Sequence, residues 1–321
     1  MRAVVIENGE VTVAERPDPV PGKGELLIKV DAAGLNGADL LQKAGFYPPP
    51  PGVPPDIPGL ECAGSVVATG PGDTRFKPGD RVMSIVGGGG QAELCTVPDS
   101  VAMAVPGSLD SLAAGGFPEV FTTAHDALFT QCDLREEEAL LVTGAAGGVG
   151  LAAIQLATRL RGAKVTASVR NLDLREKVAA FGAVAVAPED AEQAGPYDVV
   201  LELVGGPNLE GDLRALAPNG RIVVIGIGAG ARTEIDLRQV MAKRATIKGS
   251  TLRARSLEDK AAAAHALERD VAKVLERGDL RVAVEDVFPA CDTPGVRAAY
   301  ERFAAGGKLG KILLDFRGGE A

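Results

Sequence analysis

Residues 139–160 read ALLVTGAAGGVGLAAIQLATRL, and this stretch decides the fold. An apolar strand-like run enters Gly144, and a strong helix former leaves Gly150. The glycines at Gly144, Gly147 and Gly150 keep a dinucleotide-binding spacing, with Ala145-Ala146 in place of the second glycine. Small side chains let the backbone approach a pyrophosphate, and a helix N-terminus offers unpaired N–H groups and a positive dipole to an anion. A glycine triplet alone could be an ordinary tight turn. Preceded by a strand and followed by a helix, it points to a dinucleotide.

Working outward, the downstream chain alternates strands and helices. The apolar runs AKVTAS, YDVVLELV and GRIVVIGIG are separated by amphipathic stretches, and ATIKGSTL follows near residue 250. Continuous apolar strands between helices indicate a parallel sheet covered on both faces. At the end of the second strand, where an NAD site places Asp or Glu against the ribose, the chain has Ser168-Val169-Arg170-Asn171, with no acid before Asp173. Ser168, Arg170 and Asn171 suit a 2′-phosphate, because guanidinium pairs well with phosphate. NADPH is therefore the expected cofactor. Arg175, about one helical turn on, either assists or is a solvated surface residue.

Upstream, residues 1 to about 117 alternate short β-like runs (AVVI, ELLIKVDAAG, CAGSVVATG, GDRVMSIV, QAELCTV) with Gly/Pro turns, as a mostly antiparallel or barrel-like unit would. The segment Tyr47 to Pro58, YPPPPGVPPDIP, reads as a rigid surface loop, since proline lacks the N–H that a helix or central strand needs. Beyond the cofactor region come a long Ala-rich helix over about 256–277, VAVEDVF, a helix around VRAAYERFAA and a closing strand GKILLDF. That tail resembles the first region more than the second. The expected organisation is thus a first domain of 1–117 and 259–321 interrupted by a cofactor domain of 118–258.

The composition agrees with two ordinary globular cores: 321 residues, 46% hydrophobic and 24% charged. A net charge of −9 argues against general binding to nucleic acid or anionic membranes. No stretch has the apolar length of a signal peptide or membrane span, so the cytoplasm is expected. Cys62, Cys95, Cys132 and Cys291 stand far apart, which suits neither a disulfide framework nor a zinc cluster. The two histidines, His125 and His265, lie in helix-like stretches and are expected to be structural or superficial.

The order of motifs along the whole chain resembles the medium-chain dehydrogenase/reductase superfamily, in particular its zinc-independent NADPH:quinone oxidoreductase branch. The resemblance rests on Gly34-Leu35-Asn36-Gly37-Ala38-Asp39, Tyr47 with its proline loop, Pro58-Gly59-Leu60-Glu61, Lys77-Pro78-Gly79-Asp80-Arg81-Val82 and Gly88-Gly89-Gly90-Gln91-Ala92-Glu93. It continues through Pro118-Glu119, Ala145-Ala146-Gly147-Gly148-Val149-Gly150 and Gly310-Lys311-Ile312. The implied fold is a Rossmann-type doubly wound parallel sheet plus a discontinuous GroES-like β-barrel catalytic domain. Zinc-dependent members carry a Cys after the first glycine and a His–Glu pair after the Gly59 position. Here Leu35-Asn36 and Leu60 stand instead, and Glu61 alone cannot complete a three-ligand catalytic site.

Without a Lewis acid, the acceptor must take hydride readily, as quinones and conjugated enones do. The resemblance implies NADPH-dependent quinone reduction. An alkenal or enoyl double-bond reductase, or a non-catalytic NADPH-binding protein, are the alternatives. It places Asn36 and Tyr47 near nicotinamide and substrate: Asn36 as a neutral amide for cofactor or oxyanion, Tyr47 as a hydroxyl and ring beside the quinone or as a loop residue packed on prolines. Asp39 is expected to cap or pair structurally. Ala146, Gly147, Gly148 and Val149 would meet the pyrophosphate, and Thr123, expected to open its helix, the carboxamide or a phosphate. Val204, Gly226 and Ile227 close strand ends, while Ser250 and Leu252 would lie over the nicotinamide. Lys311 would sit near the 2′ end or ribose, or be a plain surface charge. The segment Val184 to Pro188 lacks the tyrosine that relatives often set against the adenine phosphate, leaving Arg170 and Asn171 to carry the preference. A homodimer is implied, paired through the strand near residues 245–251.

Overall fold

The computed structural model describes residues 1–318. The chain divides into two compact units, Met1–Val120 with Leu252–Ala321, and Phe121–Thr251. The return to the first unit falls at Leu252, seven residues before the expected 259, because this short segment is anchored there. Leu252 packs in the first unit's core with Ala263 and Tyr300, and Arg253 donates to the carbonyls of Gly87 (2.8 Å) and Tyr47 (3.1 Å).

The first unit is organised around the strand Glu25–Gly34. One of its edges pairs antiparallel with Glu61–Thr69. The other edge is shared: Glu25–Lys29 pair with Leu94–Pro98, and Ala32–Gly34 pair with Lys311–Asp315. The last strand carries a parallel neighbour, Val284–Pro289, and Arg81–Ile85 and Ala102–Ala104 extend the opposite side. Alternating residues such as Leu26, Ile28 and Val30 enter a core with Val66, Val82, Val97 and Ile312. Each fully buried side chain of this size stabilises by about 2 kcal/mol relative to exposure. The hairpin Arg2–Glu7/Glu10–Glu15 turns on Asn8 (φ 51°) and Gly9 (φ 77°), the two positive-φ positions of a type I′ turn. The proline loop carries neither helix nor strand over residues 47–58.

The second unit is a six-stranded, all-parallel sheet. Numbering its strands within the unit as they follow in the chain, Ala139–Val142, Lys164–Ser168, Val184–Val186, Tyr197–Glu202, Leu216–Val224 and Thr246–Gly249 lie in the order 3-2-1-4-5-6. This is the doubly wound dinucleotide-binding order, whose reversal between the first and fourth strands opens a crevice at the strand carboxyl ends. One face packs Leu141, Val200, Leu213, Leu216 and Ile222 around Tyr197. The buried Tyr197 hydroxyl donates to the Ala191 carbonyl at 2.7 Å, which removes the cost of enclosing it. Among the described residues no helix is long and apolar enough to cross a membrane.

Candidate active site

In the second unit, the glycine turn leaves the first strand and enters the helix Gly148–Arg161. Gly147 is the helix N-cap (φ −75°, ψ 167°), and no side chain caps the first turn. The opening N–H groups of an α-helix have no partner within it, and residues 146–149 are only partly buried. Gly150 is required by close approach: a Cβ there would lie 2.6 Å from the Cα and carbonyl oxygen of Ala145. The helix is thereby seated on the turn with its amides open, a cradle that fits a pyrophosphate.

The second strand ends in Ser168, which is buried and whose carbonyl accepts from Ala145 N at 3.2 Å. Arg170 follows, exposed and without a hydrogen-bond or ion-pair partner among the described residues. Asn171 caps the next helix by accepting from Asp173 N at 3.0 Å, and Arg175 is oriented by donating to the Val169 carbonyl at 3.1 Å. These residues therefore share one strand end. Glu202 shapes the fourth strand's exit by accepting from Val204 N (2.5 Å), Gly205 N (2.6 Å) and Asn208 Nδ2 (3.2 Å). Its neighbour Asp212 is pushed up to about 9, first by burial and then by the Glu202 charge. The Gly226 amide is 3.2 Å from the Glu202 carbonyl oxygen, and Ile227 is exposed. Ser250 donates to Asp126 Oδ2 at 3.2 Å.

The first unit encloses a polar centre in which Lys311 is 3% and Glu61 0% exposed. Lys311 Nζ donates to Glu61 Oε1 (2.6 Å), the Leu35 carbonyl (2.7 Å) and Asn36 Oδ1 (2.8 Å). Asn36 Nδ2 donates to Glu61 Oε1 (2.9 Å) and the Gly34 carbonyl (3.2 Å). The second oxygen of Glu61 accepts from Glu119 N at 2.9 Å. Asp39 accepts from Asn36 N (2.8 Å) and Gly59 N (3.2 Å), the structural role expected of it. Burial lifts its carboxyl to about 6 against the pull of those amides. Glu119 is lifted further, to about 8, by burial and then by the Glu61 charge. Beside this centre the Arg253 guanidinium lies 5.1 Å from the centre of the Tyr47 ring and donates to Gln42 Oε1 at 2.6 Å. The Tyr47 phenol is raised by burial, with Arg253 opposing.

This geometry bears on four readings from sequence. Lys311 is no surface charge: it is buried, and all three ammonium donors are engaged inside the first unit. Asn36 has both amide donors engaged, so it holds Glu61 and Lys311 in place instead of presenting a free N–H to an oxyanion. Leu252 is a core residue of the first unit. Thr123 lies within the helix Pro118–His125 and does not open it; proline at the first position marks the true start. Glu61, Glu119 and Arg253 were not singled out as site residues. Pro118-Glu119 was visible as a motif, but 250 residues separate Glu61 from Lys311.

Zinc does not fit the first unit's centre: Leu60 has no donor atom, Glu61 is neutralised by Lys311, and among the described residues no group of three or more His, Cys, Asp or Glu could hold a metal ion.

Both units match known family models: residues 22–133 the alcohol dehydrogenase GroES-like domain, and residues 148–269 the zinc-binding dehydrogenase domain. The fold and the open glycine cradle thus define a nicotinamide-dinucleotide-dependent oxidoreductase with a GroES-like domain and a Rossmann-type domain. The chain is 32% identical over 309 residues to the quinone oxidoreductase of Lama guanicoe, covering 92% of this chain and 90% of that protein. It is 32% identical over 331 residues to that of Homo sapiens, covering 98% and 97%. A solved alcohol dehydrogenase superfamily protein from Novosphingobium aromaticivorans superposes with a TM-score of 0.87 at 28% identity, covering 99% of this chain and 100% of that one. The chain belongs to the quinone oxidoreductase-type family of the medium-chain dehydrogenase/reductase superfamily.

Proposed function

We propose that this protein reduces quinones by hydride transfer from NADPH, without zinc. The observation that carries the cofactor choice is the end of the strand Lys164–Ser168. It leads into the exposed, unpartnered Arg170 with no carboxylate before Asp173. A guanidinium in that place attracts a 2′-phosphate, whereas a ribose hydroxyl pair would call for an acid. Arg175, tethered through Val169, and the side-chain amide of Asn171 stand beside it on the same loop and helix.

When bound, the nicotinamide supplies the hydride, so the protein's task is placement and exclusion of water. The amides of Gly148, Val149 and Gly150 would hold the pyrophosphate, and the Glu202-ordered loop fixes Val204. In the first unit, Asn36 and Glu61, which by the resemblance stand at or beside the metal-ligand positions of zinc-dependent members, are engaged with Lys311. Zinc independence accords with the poor fit of those residues to a metal, and quinones accord with the names of the relatives. The outer strand Thr246–Gly249 is an edge of the sheet, beside the helix Leu237–Lys243, whose Leu237 (70%) and Met241 (76%) are exposed. This edge is the surface we assign to homodimer formation, to be checked by light scattering.

The deciding experiment measures NADPH and NADH binding by competition, then cofactor oxidation against quinones and enones. NADPH is expected to bind at least tenfold more tightly, and Arg170→Ala to remove most of that preference. Equal affinities, unchanged in the variant, would overturn the cofactor assignment. No oxidation with any acceptor would overturn the reductase.

A further inference from the structure

The first unit contains a cavity of about 330 Å³ beside the proline loop, at the small end of the range for small-molecule sites. Pro50, Val53, Ile85 and Val101 give it apolar walls, together with the backbone of Gly87 and Gly88. These walls are fixed before any ligand arrives. A Cβ on Gly87 would lie 3.2 Å from both Pro50 Cγ and Val53 Cγ1, and one on Gly88 would lie 3.3 Å from Val53 Cγ2. The absence of side chains there is what lets the loop pack so closely. Arg253 donates to the carbonyls of Gly87 (2.8 Å) and Tyr47 (3.1 Å), which ties the glycine run to the start of the loop. With proline also fixing φ, little conformational freedom is left to lose on binding.

The charged groups of the lining are not balanced. Lys260, in the first turn of the helix Leu257–Glu276, and Arg255, just before that helix, both border the cavity. The one carboxylate of the lining, Glu25, accepts from the Gly22 N–H at 2.7 Å. The Met1 ammonium, also in the lining, donates to the Arg16 carbonyl and to Asp18, each at 2.8 Å. Lys260 is partly buried and has no hydrogen-bond or ion-pair partner among the described residues. Burial lowers its ammonium and the Arg253 charge adds to this, while the Glu119 charge opposes them. Glu119 is itself raised to about 8, by burial and then by the Glu61 charge, so at neutral pH it supplies little counter-charge. A cation drawn partly out of water gains from an acceptor, and the cavity has room for one.

We propose that this cavity is a binding site for a small organic acid, an apolar body carrying one carboxylate that pairs with Lys260. The walls make no polar demand on the body, so hydrocarbon or aromatic surface suits them. The ammonium selects the charged end, since a neutral carbonyl would accept a weaker hydrogen bond. The whole lining belongs to the first unit, and the inference does not depend on the reductase reading.

The test uses the full chain without cofactor or electron acceptor, and two probes of one shape: 2-naphthoate and its neutral amide, 2-naphthamide. In isothermal titration the carboxylate should bind about tenfold more tightly than the amide, the worth of one charge-assisted hydrogen bond. Lys260→Met should bring 2-naphthoate down to the affinity of 2-naphthamide and leave the amide unchanged. Val53→Trp, which fills the cavity, should abolish both. A second readout needs no fold-sensitive variant in the cavity wall. After reductive methylation with ¹³C-formaldehyde, the Lys260 signal is assigned by its loss in Lys260→Met. Its titration, below the ordinary lysine value, should move up when 2-naphthoate is added and stay in place with 2-naphthamide. Failure of both probes to bind, equal affinities in wild type, a preference that persists in Lys260→Met, or an unmoved Lys260 titration would each overturn the site.

Discussion

Lys311 shows how much of this protein's chemistry lies in partnerships and how little in single positions. An ammonium 3% exposed beside a carboxylate 0% exposed is tolerable only because each satisfies the other. Lys311→Met leaves Glu61 charged and buried, and should cost about 3–5 kcal/mol of stability by urea unfolding. Combining it with Glu61→Gln should recover most of that loss, because no isolated charge remains. Failure of the double variant to recover would place the value of Lys311 in its bonds to Leu35 and Asn36. In the sequence, Gly310-Lys311-Ile312 could be seen as a motif but its partner could not. Pairing across 250 residues is set by the strand register that brings Leu313 opposite Gly34, and no local pattern encodes that register. Arg170 is the opposite case, because the role proposed for it follows from its position after a strand.

Elements were easier to read. The glycine turn combines three local signals: an apolar strand, small residues and a helix that follows at once. Gly150→Ala should weaken nicotinamide-dinucleotide binding at least tenfold and lower the melting temperature, because its Cβ would meet backbone at 2.6 Å and backbone cannot yield as a side chain can. Isothermal titration and thermal melting would check this, and unchanged affinity would show that the helix can slide. The long helix expected over about 256–277 is Leu257–Glu276, started by Ser256 accepting from Asp259 N at 3.1 Å. Short elements escaped reading for physical reasons. Val184–Val186 is a three-residue edge strand too brief to show a period. Glu10–Glu15 was hidden by its charges, although Asn8-Gly9 before it is a strong hairpin signal.

At the scale of the molecule, the buried acids set how stability responds to pH. Asp39, Glu119 and Asp212 are raised to about 6, 8 and 9, so the folded chain holds protons that the unfolded chain releases near pH 4. Stability from these groups is complete below their unfolded values and is lost as pH rises through the folded ones. Glu93 and Glu138 are lowered by Arg2 and Arg221 against an opposing desolvation, and they add stability above the unfolded range that is lost in acid. The melting temperature should therefore peak at weakly acidic pH and decline steadily toward pH 9. Asp212→Asn should flatten that decline, and a parallel decline in the variant would exclude Asp212 as its source. The fold class and the alternation of the cofactor unit were legible in the sequence because local periodicity carries them. The domain return at Leu252 was not, since it depends on where Arg253 finds its acceptors.

The shared edge of Glu25–Gly34 has a consequence for synthesis. Its middle and one flank find partners within the first hundred residues, but Ala32–Gly34 wait for Lys311–Asp315. A ribosome therefore releases every strand of the Phe121–Thr251 unit before the earlier unit can close. Until that last strand emerges, Glu61 lacks its ammonium. Stalled nascent chains ending near residue 300 should resist protease across 121–251 while remaining cleavable between 25 and 70. The neutralisation of Glu61 thus waits until the chain has been made past Lys311.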